Sequence, residues 1–154
     1  MPLHYLDTSA LVKQYLPEPG SNWVKSLLAF EPVVVSVLAG VELASALARR
    51  VRQGDLSNDD KDLIFQTFLR DLSSYFVVGT REDVIEEATN MLLTGPATIA
   101  LRSLDSLHMA TARIVFNRAR RSGIATGDLI TSGKTLAAAA SWLGITSRNP
   151  EDYP

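Results

Sequence analysis

Residues 4–20 read HYLDTSALVKQYLPEPG. His4, Tyr5 and Leu6 suit a short strand, expected over residues 4–7, and Asp7 ends it. A helical pattern follows over residues 9–15, and Pro17 and Pro19 stop it. A strand that turns into a helix at an acid suits a parallel sheet covered by helices.

The rest of the chain repeats this alternation. Residues 21–30 place Trp23, Val24, Leu27 and Leu28 at helical spacing. Val33 to Ser36 is a β-branched run after Pro32 and predicts a buried strand. Residues 38–53 turn helical, and Gly54 stops them. Ser57 then caps a helix whose first turn is acidic, running to about residue 74. Further strands are expected at 75–78 and 129–132, with a short last one at 144–147. Further helices are expected at 81–93, 103–120 and 135–143. No repeat or linker interrupts the series, so residues 1–147 read as one domain and 148–154 as a tail.

The 154 residues are 46% hydrophobic and 21% charged, enough to bury a core without staples. Cysteine is absent, which excludes disulfides, thiolate metal sites and thiol catalysis. No apolar run approaches the roughly 20 residues that span a bilayer. No basic segment precedes an apolar one near Met1, so a cytoplasmic protein without a secretory signal is expected. A net charge of −2 argues against a protein that coats duplexes, although an enzyme can keep its cations local.

Three acids carry the functional argument, because ligands of an open α/β sheet bind beyond the carboxyl ends of its strands. Asp7 ends the first strand; it also suits a helix cap. Glu42 lies in VLAGVELASAL, beside an expected apolar stripe of Val41, Ala44, Ala48 and Val51; it also suits pairing with Arg49 or Arg50. Asp105, in LRSLDSLHMATARIV, sits in the first turn of a helix, where the dipole favours an anion. Right-handed βαβ winding brings all three toward one rim of the sheet. Three carboxylates there would repel one another, and a hard divalent cation, Mg²⁺ or Mn²⁺, removes that penalty. The chemistry expected is metal-assisted phosphodiester hydrolysis.

LDTSALVKQY, VELASAL, SLDSLHMATA and LITSGKTLAAAASWLGI occur in this order between residues 6 and 145. Together they resemble the PIN domain in its VapC toxin branch. The resemblance implies a three-layer α/β/α sandwich with a short parallel sheet of four or five strands. It also implies a dimeric endoribonuclease that uses Mg²⁺ or Mn²⁺ and is inhibited by a cognate antitoxin. The family's acids fall on Asp7, Glu42 and Asp105, and its small hydroxyl residue on Thr8. Its fourth acid is missing: the segment reads Thr131, Ser132, Gly133. Asp128 lies about 13 Å back along the strand and should not reach the site. Thr131 or Ser132 is left to offer a neutral oxygen. Weaker metal binding is therefore expected, and the alternative is a domain that binds RNA or protein without cutting.

Lys13, Arg102 and Lys134 are candidate contacts for RNA phosphates or antitoxin. Arg49, Arg50 and Arg52, and Arg113, Arg118, Arg120 and Arg121, suit solvated helix faces. His108, one turn beyond Asp105, reads as a packed, hydrogen-bonded residue, and His4 lies further from the working end. Asp7 as a phosphoryl acceptor is disfavoured, because Ser9 stands where a phosphatase wants a second acid.

Overall fold

The computed structural model describes residues 1–153. Its elements are β1 (Leu3–Leu6), α1 (Thr8–Tyr15), α2 (Ser21–Phe30), β2 (Val33–Ser36), α3 (Leu38–Gln53) and α4 (Asn58–Asp71). Then come β3 (Phe76–Val78), α5 (Glu82–Thr94), α6 (Ser103–Arg121), β4 (Thr126–Ile130), α7 (Lys134–Trp142) and β5 (Ser147–Arg148). Single 3-10 turns occupy Leu72–Ser74 and Pro150–Asp152. The strands form one parallel sheet in the order β3-β2-β1-β4-β5.

Alternation along β1 sends successive residues to opposite faces of the sheet. Tyr5 joins Val34 and Leu129 in a core covered by α5, α6 and α7. Leu6 joins Val33, Val35 and Ile130 in a second core under α1 to α4. The result is the expected three-layer α/β/α sandwich, with five strands. The chain leaves β1 toward β2 and β3 on one side, then returns to place β4 and β5 on the other. The strand order therefore switches at β1 and β4, and the crevice at their carboxyl ends is where such sheets bind ligands.

Three sequence expectations need correction, the simplest being the last strand, expected at 144–147 and found at Ser147–Arg148. The buried stripe of α3 is Ala39, Leu43 and Leu47, while Val41 is 73% exposed. Residues at i, i+4 and i+8 set the face, and the two leucines bury more apolar surface than the small Ala44 and Ala48. The strand expected at 129–132 begins earlier and ends earlier, at Thr126–Ile130. Gly127 and Asp128 hid that start, being poor strand formers. Gly127 is required because a Cβ there would lie 2.4 Å from the His4 ring. The Asp128 N–H donates to His4 Nδ1 at 3.0 Å and its carboxylate pairs with Arg148 at 2.7 Å, so Asp128 faces away from the crevice.

Residues 148–153, read as a tail, pack against the domain. Arg148 belongs to β5, and the Asn149 side chain caps the Pro150–Asp152 turn. Trp23 stacks on Tyr153 with ring centroids 4.7 Å apart. Gly20, at φ +83°, lets the backbone at Pro150 approach so closely that a Cβ would meet its carbonyl oxygen at 2.3 Å. Gly54 has the same backbone angle, +82°, with nothing within 4 Å. Gly54→Ala should therefore cost about 1 kcal/mol from the left-handed backbone alone. Gly20→Ala should cost roughly 2–4 kcal/mol, because the clash adds to it. Urea unfolding of both variants checks this; equal losses would mean that the contact with Pro150 does not hold the fold.

Candidate active site

Asp7 does two jobs at the end of β1. Its backbone N–H completes the ladder to Ile130 at 3.1 Å, and its side chain caps α1. Oδ1 accepts the Ala10 N–H at 3.0 Å and the Ser9 hydroxyl at 2.7 Å. Oδ2 accepts the Thr131 hydroxyl at 2.8 Å. The same small residues clip the turn after β4: Ser132 N–H donates to Ser9 Oγ at 2.9 Å, and Gly133 N–H to Thr131 Oγ1 at 2.9 Å. The carboxyl group is buried. Burial raises its pKa above the usual aspartate value, against the opposing pull of these donors and of His108. The helix-cap and site readings of Asp7 are thus compatible, since one carboxylate serves both.

Glu42 reaches the same rim from the second turn of α3. Its Oε2 accepts the Thr8 hydroxyl at 2.6 Å and the His108 Nε2–H at 2.6 Å. His108 Nδ1 meets the fully buried Tyr5 hydroxyl at 2.8 Å. Arg50, an expected partner for Glu42, pairs instead with Glu18 at 2.7 Å. The packed, hydrogen-bonded reading of His108 holds, but its partner is a site acid. Burial alone would lower the His108 pKa; the bond and charge of Glu42, with Asp7 and Asp105 further off, raise it instead. Burial pushes Glu42 up, and His108 and Thr8 bring it below the usual glutamate value.

Asp105 is the third residue of α6 and half-buried, and its Oδ2 accepts the Arg102 N–H at 3.4 Å. Its side chain spends little on that long bond. The donor set fits a hard divalent cation: oxygen ligands only, a buried Asp7 carboxylate with no ion-pair partner among the described residues, and a buried Ser132 Oγ that makes no well-formed hydrogen bond among them. Among the described residues, however, no three His, Asp or Glu side chains are grouped closely enough to enclose a metal. A small ion such as Mg²⁺ keeps several waters and needs only one or two carboxylates directly.

Beside Glu42 lies a cleft of about 310 Å³, bordered by Thr8, Ser9, Lys13, Glu42, Ser132 and Glu151; neither Asp7 nor Asp105 lines it. Lys13 is only 2% exposed and pairs with Glu18 at 3.3 Å and Glu151 at 3.0 Å. Lys13 holds the Glu151 carboxyl below the usual glutamate range. Arg102 and Lys134 are exposed, at the starts of α6 and α7, and do not border the cleft. Arg113 and Arg118 pair with Glu87 and Asp83 on α5, which fits solvated helix faces. Sequence reasoning missed Tyr5, Glu18 and Glu151. Glu18, between two prolines at the end of α1, was a findable signal; Glu151 carried none.

The Glu42–His108 pair has a defined pH window. Glu42, lowered, stabilises the fold above its ordinary 4.5 and loses that as pH falls through its folded value. His108, raised, stabilises it below its ordinary 6.5 and loses that as pH rises through its folded value. The contribution is complete between those two ordinary values. His108→Ala should cost about 2–4 kcal/mol, because it strands the Tyr5 hydroxyl and the Glu42 carboxylate. Urea titrations from pH 4 to 9 should show the wild-type stability falling on the alkaline side, and that fall should be absent in the variant. An unchanged alkaline limb would mean that the pair carries no linked proton.

The PIN-domain family model matches residues 4–140, most of the chain. Solved structures of the same fold include the Mycobacterium tuberculosis VapC20 toxin, described as cleaving the sarcin–ricin loop (TM-score 0.63, 19% identity, 88% of this chain and 94% of that one). They also include FitAcB from Neisseria gonorrhoeae (TM-score 0.66, 18% identity, 96% and 97%) and a toxin–antitoxin complex from Klebsiella pneumoniae (TM-score 0.58, 16% identity, 96% and 97%). No curated protein matches the sequence. At these identities the structures speak for the fold, and the family model runs from His4 of β1 through β4 into α7, with all three acids inside it and β5 outside. The chain belongs to the PIN-domain family.

Proposed function

We propose that this chain is a metal-dependent endoribonuclease of the VapC toxin kind, with Asp7, Glu42 and Asp105 holding one Mg²⁺ or Mn²⁺. The observation that carries this reading is the 2.6 Å bond from Thr8, the neighbour of Asp7, to Glu42, which draws the Glu42 carboxylate toward the end of β1 where Asp7 stands. A divalent ion bound there would supply an activated water and neutralise charge on the phosphate under attack. Asp7 is fixed for that work by Ser9, Ala10 and Thr131. Glu42 is fixed by Thr8 and His108 through one oxygen, leaving Oε1 without a protein donor among the described residues. Asp105 closes the set from the start of α6, directly or through water held by the ion. Ser132 offers a neutral oxygen, and Lys13, Arg102 and Lys134 are candidate holders of RNA phosphates, contacts that position without reading sequence.

The relatives also support partners. The Klebsiella pneumoniae structure is a toxin–antitoxin complex by its description. A cognate antitoxin and a homodimer in the cytoplasm are proposed here for this chain. No helix among the described residues is long and apolar enough to cross a membrane.

Gly133 favours the second reading, a domain that binds RNA or protein without cutting. One comparison separates the two. Asp7→Asn keeps the cap and the shape while removing the charge. With Mn²⁺, it should lose RNA cleavage by at least about 100-fold while keeping the wild-type circular dichroism spectrum. If wild type and variant show no metal-dependent difference, the binding module is the better account.

The missing acid is itself testable. Gly133 has an ordinary backbone, and a Cβ there would meet Thr131 Oγ1 at 3.3 Å, a contact that a small shift relieves. Gly133 also caps α7 without any side-chain bond. Gly133→Asp should therefore tighten Mn²⁺ binding about threefold to tenfold, on the order of 1 kcal/mol. Calorimetric titration with Mn²⁺ reads it; no change would mean that this position does not face the metal.

A further inference from the structure

We propose that Lys13 and Ser132 form a phosphate subsite beside Asp7 and Glu42, and that the Glu151 carboxylate occupies it until an RNA phosphate displaces it. The proposal rests on the nuclease reading and deepens it.

Lys13 supplies the cation. Its stem is buried in α1, and an ammonium so placed needs an anion beside it. It has two, and they are not equivalent. Glu18 also accepts Arg50, and its backbone N–H donates to Ser21 Oγ at 2.9 Å, so it is fixed in the α1–α2 turn. Glu151 has Lys13 as its sole ion pair among the described residues, and its side chain is 46% exposed. It is the partner that a competing anion can replace.

The C-terminal segment does not need this ion pair to stay in place. Gly20 against Pro150, Trp23 on Tyr153 and the Asn149 cap already hold it. Glu151 therefore contributes chiefly to the charge of the cleft. Lys13, Arg49 and Arg50 border the cleft against Glu18, Glu42 and Glu151, a balance of three against three. Moving Glu151 aside leaves one positive charge in excess. Ser132 borders the same cleft with a buried hydroxyl that makes no well-formed hydrogen bond among the described residues yet lies near enough to Glu151 to help lower its pKa, and Arg49 is exposed without an ion pair among the described residues. A tetrahedral phosphate can accept from the Lys13 ammonium and the Ser132 hydroxyl together. Phosphate is a strong acceptor for charge-assisted bonds.

The test uses the full chain in EDTA, with a short fluorescein-labelled single-stranded RNA read by anisotropy, so that binding is separated from cleavage. Glu151→Gln should bind the RNA about threefold to tenfold more tightly than wild type, as expected for removing one repelling charge at partial exposure. Lys13→Met should bind more weakly, and adding Glu151→Gln to it should change little, since Glu151 acts through Lys13. Glu151→Gln binding no more tightly than wild type overturns the proposal, and so does a lowered melting temperature with unchanged binding. Cleavage with Mn²⁺ is followed on the same proteins. Tightening without any cleavage would retire the nuclease reading and leave the subsite standing; cleavage without tightening would do the reverse.

Discussion

The structure turns on a carboxylate placed where a carboxylate is costly. Asp7 is buried at the end of the central strand, and among the described residues no ion-pair partner compensates it. Four groups share the load: an amide at the start of α1, the Ser9 and Thr131 hydroxyls, and the more distant charge of His108. Each of these also fixes a piece of the fold. The Ala10 amide begins α1, Ser9 and Thr131 hold the turn after β4, and His108 locks α6 to the sheet through Tyr5. The site and the scaffold are built from the same hydrogen bonds, so the geometry of one is set by the stability of the other.

Glu42 is handled in a complementary way. Its charged form is favoured by His108 and Thr8, which reach it from opposite faces of the sheet. Two carboxylates thus share one rim with opposite tendencies: burial pushes Asp7 toward the neutral acid, and hydrogen bonding keeps Glu42 ionised. A divalent ion would ease the first and use the second. The absence of a fourth acid at Gly133 leaves this corner with hydroxyl oxygens from Thr131 and Ser132.

Most of the fold was legible because apolar runs and breakers coincide with element ends. Val33–Ser36 is a strand by composition and by observation, and Gly54 and Ser57 mark helix ends through backbone angle and side-chain cap. The start of β4 was not legible, because Gly127 and Asp128 are present for contacts with His4 and Arg148, residues far away in sequence. The face of α3 was misread for a related reason: four small or branched residues, Val41, Ala44, Ala48 and Val51, imitated a stripe, and only the packed sheet selects Ala39, Leu43 and Leu47. Asp7 and Glu42 could be found as acids beside apolar runs. The tie between Glu42 and His108, 66 residues apart, and the reach of Glu151 to Lys13 depend on tertiary placement that no local pattern encodes.

The nuclease proposal requires a hard cation between the ends of β1 and β4, held by the Asp7 and Glu42 side chains. A crystal of this chain soaked in Mn²⁺, with anomalous diffraction collected at the manganese edge, addresses it directly. One anomalous peak is expected, in contact with an oxygen of Asp7 or Glu42 and joined to Asp105 directly or through a bound water. A peak elsewhere on the surface, or an empty crevice in crystals that hold manganese at other positions, would contradict it.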